Sequence, residues 1–178
     1  MMNRRIWIKQ LMLAGGGILL LPACVNDEGA VSVPLKNISI TSKQELLLAD
    51  ITETIIPKTN TPGAKELNLH HFVLKMFDDC YDATKQAGIV AGLKQFNDFA
   101  KDSAGDNFIA LATNKKLQLL KTIAKDATVN ADLKLFLTET RKLTIKGYSN
   151  SKYVLTKLRP YELVPGRFHG CVPVNKAV

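Results

Sequence analysis

The sequence predicts an all-α protein: a small bundle of about five helices followed by an irregular, aromatic C-terminal tail. Three observations carry that reading. Apolar residues recur at three- and four-residue spacing in successive blocks between residues 42 and 147. Residues that cap or break helices separate the blocks. Beyond Gly147 the period is lost, and Pro160, Pro165, Gly166, Gly170 and Pro173 alternate with Tyr153, Tyr161 and Phe168.

The elements follow in order. Ser42-Lys43-Gln44-Glu45 reads as a capping box, with Ser42 at the N-cap and Glu45 three residues on. Leu47, Leu48, Ile51 and Ile55 then fall at helical spacing, and Pro57 stops the element. Residues 58–64, with Pro62-Gly63, form a turn. A second helix carries Leu69, Phe72, Val73, Met76, Phe77 and Cys80 on one face. A third spans about residues 83–101, with Ile89, Leu93, Phe96 and Ala100 on one side, and residues 102–106 break it. Asn114 is the candidate cap of a fourth, which carries Leu117, Leu120 and Ile123. Asn130 is the candidate cap of a fifth, which carries Leu133, Phe136, Leu137 and Leu143 and ends at Gly147. A disordered tail would be poor in aromatics, so residues 147–178 are expected to pack along the helical body or along another subunit.

Two signals overlap ahead of the body. Arg4-Arg5-Ile6-Trp7-Ile8-Lys9 looks like a twin-arginine export signal, the kind that carries proteins already folded. Its apolar stretch, Leu11 to Leu21, is diluted by Gly15-Gly16-Gly17 and is too short for a transmembrane helix of about 20 residues. Leu21-Pro22-Ala23-Cys24 looks like a lipoprotein box, with Cys24 as the lipidated first residue of the mature chain. The other reading is a cut after Ala23 that leaves a free thiol. Residues 1–23 are thus a leader, 24–41 a tether, and 42–178 the folded domain with its tail. Several acyl chains at Cys24 would hold the protein on a membrane where one would not.

The 24 basic and 16 acidic residues give a net charge of +8. Arg4, Arg5 and Lys9 leave with the leader, so a chain beginning at Cys24 carries +5. The lysines are scattered, without a basic stripe interleaved with aromatics, so nucleic acid is not an expected partner. Outside the cytoplasm Cys80 and Cys171 can pair. A buried Cys80 thiol, or a link from Cys171 to a partner, fits the sequence equally well.

No catalytic constellation emerges. There is no Cys-x-x-Cys-His for haem, and no Gly-x-Gly-x-x-Gly follows a strand. His70 and His71 diverge by about 100° on a helix, which argues against a shared metal. Asp78-Asp79 read as acids of a solvated helix face. No catalytic, cofactor-binding or metal-ligating residue is therefore assigned.

The body does resemble a known family. Asp50-Ile51-Thr52-Glu53-Thr54-Ile55-Ile56-Pro57 and Thr59-Asn60-Thr61-Pro62-Gly63-Ala64 resemble gluconate 2-dehydrogenase subunit 3. The likeness continues through Gly92-Leu93 and Phe108. It runs on into Gly147-Tyr148-Ser149-Asn150-Ser151, Thr156-Lys157, Val164-Pro165-Gly166-Arg167-Phe168 and Gly170-Cys171-Val172-Pro173. Ser149 and Phe168 depart from it, each standing where the family often has Tyr. The resemblance implies a cofactor-free small subunit that accompanies a large FAD-dependent oxidoreductase of the glucose–methanol–choline type. That partner oxidises a sugar, sugar acid or glycoside, and electrons pass to a quinone or to a cytochrome c subunit holding haem c. The small subunit would assist folding of the flavoprotein, lend it the export signal of Arg4 and Arg5, and moor it to the membrane through Cys24. Tyr148, Tyr161, Pro165, Gly166, Arg167, Phe168 and Cys171 are the residues expected to bind the partner, since Tyr and Arg are enriched at interface hot spots. A free-standing, lipid-anchored scaffold or ligand-binding lipoprotein is the rival expectation.

Overall fold

The computed structural model describes residues 31–159. The expectations for Arg4, Arg5, Cys24, Tyr161, Pro165, Gly166, Arg167, Phe168 and Cys171 lie outside the described residues. The chain forms α1 (Ser42–Ile55), α2 (Leu69–Cys80), α3 (Ala83–Ala104), a 3₁₀ turn (Phe108–Ala110), α4 (Thr113–Lys125), α5 (Ala131–Ser149) and a π-helical turn (Val154–Leu158). No strand occurs among the described residues, as the all-α reading expects.

Helix α5 is the hub and packs against α1, α2, α3 and α4, with α3 its most extensive neighbour. Phe77, Phe96, Phe108 and Phe136 are fully buried in the core. The Phe96 ring meets those of Phe108 and Phe136 edge-on, at centroid distances of 5.1 and 6.0 Å. Each such side chain contributes roughly 1.5–3 kcal/mol of burial, set against the entropy of ordering the chain. Gly92 permits the α3–α5 crossing. A Cβ there would lie 2.3 Å from the Asp132 carbonyl oxygen and 2.7 Å from Phe136 Cβ.

Helix ends explain themselves locally, with four departures from expectation, of which the first is that α3 runs on to Ala104, through residues expected to break it. The α1 box is shifted by one residue. Thr41 is the N-cap, its hydroxyl accepting from Gln44 N at 3.3 Å while Gln44 Oε1 accepts from Thr41 N at 2.9 Å. That register frees Glu45 to turn inward. Helix α4 begins at Thr113 behind Ala112, without a side-chain cap, so Asn114 lies within it. Gly147 does not end α5, which runs on to Ser149. It is small because Phe72 presses on it, with Cδ1 2.8 Å from where a Cβ would stand. Asn130 caps α5 as expected, accepting from Asp132 N at 2.8 Å. Gly105 closes α3 at φ 83, a left-handed position that glycine takes without steric cost.

Residues 31–41, the latter part of the expected tether, lie against the body. Ile38 and Ile40 are buried in the core cluster. Asp78 fastens this segment: its Oδ2 accepts from Lys36 N at 2.8 Å, and its Oδ1 from Asn37 N at 2.7 Å and Ile38 N at 3.0 Å. Asp78 is therefore no solvated acid. Asp79 is exposed and pairs with Lys75 at 3.3 Å. Cys80, at the end of α2, is exposed and not buried, and it has no disulfide partner among the described residues.

Candidate partner interface

Leu137, Arg141 and Ile145 follow one another at four-residue intervals along α5, which places them on one face. Leu117 and Leu120 of α4 and Ile55 at the end of α1 stand opposite. Together they line an open groove of about 690 Å³. Two of its apolar lining residues are well exposed, Leu117 by 42% and Ile145 by 47%. Lys121, Lys134, Arg141 and Lys142 also line it, and no acid does among the described residues. An apolar floor ringed by cations suits an acidic-rimmed apolar surface of another protein.

The loop between α1 and α2 borders this end of the bundle and is held by carboxylates. Glu53 Oε1 accepts from Lys58 N at 3.0 Å and Oε2 from Lys65 N at 2.8 Å. Gly63 fits beneath them, since a Cβ there would lie 2.5 Å from Glu53 Oε1. Asp50 adds two cations, Lys65 Nζ at 2.7 Å and Lys116 Nζ at 2.6 Å. Tyr148 is the one expected partner-binding residue among those described. It is half-buried, and its hydroxyl donates to Thr61 Oγ1 at 3.2 Å, tying the end of α5 to this loop. The loop and Gly147-Tyr148, distant in sequence, are thereby brought together.

Two further polar clusters join elements. Tyr81 donates to Glu139 Oε2 at 2.7 Å, and Lys85 Nζ lies 3.2 Å from Glu139 Oε1. Burial and then this bond to the carboxylate push the Tyr81 hydroxyl well above its usual range. The Tyr81 hydrogen bond, opposed by burial and helped by Lys85, holds Glu139 below its own ordinary value. The second cluster is Glu45, His70 and His71, whose ligand atoms lie within 4.8 Å of one another. The sequence reading expects the two histidines to point apart. Their Cβ vectors do diverge, but the imidazoles swing together to a centroid distance of 4.1 Å beside α1. Local spacing gives no signal for the third member, because Glu45 comes from another helix.

The family model described as gluconate 2-dehydrogenase subunit 3 matches residues 42–166, from the start of α1 past the π-helical turn. No curated protein and no solved structure matches the chain.

Proposed function

Because the chain belongs to the gluconate 2-dehydrogenase subunit 3 family, we propose that it is the non-catalytic small subunit of an exported, flavin-dependent dehydrogenase complex. In this reading the large partner binds FAD and oxidises a sugar, sugar acid or glycoside. The small subunit assists the folding of that partner, shares the leader of Arg4 and Arg5 with it, and moors it at Cys24. The observation that carries the binding role is the α4–α5 groove, with Leu117 and Ile145 presented at its edge. Exposed apolar side chains gathered in one groove mark interaction surfaces more than scattered ones do.

The test is co-purification in mild detergent from cells that also make the large subunit. The unaltered chain is expected to bring down a yellow, flavin-containing companion. The double variant Leu117→Glu and Ile145→Glu should lose it while keeping its helical spectrum, since both residues are exposed. Full retention of the companion by that variant would remove the groove from the interface. Absence of any companion from the unaltered chain would favour the free-standing lipoprotein.

A further inference from the structure

We infer that Glu45, His70 and His71 form a binding site for a divalent transition metal of the Zn²⁺ class. The inference stands apart from the partner-binding role. Two imidazoles and a carboxylate are a familiar Zn²⁺ donor set, bound at about 2.0–2.2 Å. The ligand atoms already lie within 4.8 Å of one another, so small side-chain rotations would bring them onto one ion.

The second observation is that two polar atoms of the cluster are buried without a hydrogen-bond partner. Glu45 is 5% exposed, and its Oε1 is buried with no hydrogen-bond partner. His71 Nε2 lies 3.2 Å from that oxygen but without the alignment of a hydrogen bond. His70 Nδ1 is buried and unpartnered as well. Polar atoms left so in a folded protein carry an uncompensated desolvation penalty, which a cation seated between them would relieve. The other Glu45 oxygen is already oriented, accepting from Ser32 N at 2.9 Å, as outer-shell donors orient metal-bound carboxylates.

Three protein ligands leave a coordination position open for water or an outside donor. The bound ion would fasten α1, the start of α2 and, through Ser32, the N-terminal segment. A plain Glu45–His71 ion pair is the competing account, and it requires no metal.

The experiment uses the full chain in mild detergent, with Cys80→Ser and Cys171→Ser removing thiol ligands, stripped with EDTA and dialysed. Equilibrium dialysis against Zn²⁺ with metal analysis is expected to give one Zn²⁺ per chain. Glu45→Gln, which keeps the Ser32 bond, and His70→Ala should each weaken binding by more than about tenfold, whereas His169→Ala should not. Circular dichroism of each metal-free variant confirms its helices. No stoichiometric Zn²⁺, or undiminished affinity in both Glu45→Gln and His70→Ala, overturns the site.

Discussion

Asp78 fixes the N-terminal segment through a single carboxylate. Burial opposes its charge, but the backbone N–H groups of Lys36, Asn37 and Ile38, with Lys75 nearby, hold its pKa below the ordinary 3.8. A carboxyl whose folded pKa is depressed stabilises the fold above its unfolded value and loses that contribution as pH falls through the folded one. Urea denaturation is therefore expected to show stability falling as pH drops from about 5 to below 3.8, with Asp78→Asn flattening that part of the profile. At neutral pH Asp78→Ala strands three N–H donors that have lost a charged acceptor, and should cost about 3 kcal/mol or more. An unchanged acid profile in Asp78→Asn would show that other carboxylates govern it. The sequence could not reveal this role. A position on α2 suggests either a solvated or a buried acid, and the partners that decide between them lie 40 or more residues earlier. Tyr148 and Thr61, 87 residues apart, were hidden for the same reason.

Among the elements, two glycines lie at the α3–α5 contact and differ in what surrounds them. At Gly92 a Cβ meets backbone, the Asp132 carbonyl, so the helices themselves must separate. Alanine gains roughly 1 kcal/mol of helix propensity, and overpacking costs about 1–3 kcal/mol or more. Gly92→Ala is thus expected to be net destabilising in urea titration. At Gly88 a Cβ would touch only side-chain ends, Leu135 at 3.1 Å and Asp132 Oδ1 at 3.2 Å. Those can give way, so Gly88→Ala should be neutral or mildly stabilising. Equal effects at the two sites would mean that the crossing distance does not depend on Gly92. The helices themselves were legible because their apolar period is a property of contiguous residues, and Asn130 was found as a cap because it acts two residues away. Their exact limits were less so. Thr41 and Ser42 both offer a hydroxyl, and the box closes between Thr41 and Gln44. Gly147 precedes an aperiodic stretch, which suggests a helix end, but the pressure of Phe72 explains it.

At the scale of the whole molecule, we propose that a leader of the folded-export kind, carrying Arg4 and Arg5, serves a helical body whose α4–α5 groove stands open. A small bundle with no cofactor motif in its sequence gains little from export in the folded state. A flavoprotein gains much, because FAD must be inserted before the protein leaves the compartment where the cofactor is made. The leader is then most useful if it acts for both chains at once, which requires that they associate before crossing the membrane. Arg4→Lys with Arg5→Lys keeps the charge of the leader but removes the paired guanidinium groups, whose geometry lysine does not reproduce. Fractionation of cells expressing that variant is expected to leave both the small subunit and the flavin-bearing partner in the cytoplasm. Leu117→Glu with Ile145→Glu should separate the two fates: the small subunit is exported, and the partner stays behind. If the flavoprotein reaches the far side of the membrane normally in the Arg4→Lys, Arg5→Lys cells, it carries its own address, and the shared-export reading fails while the groove remains open to test.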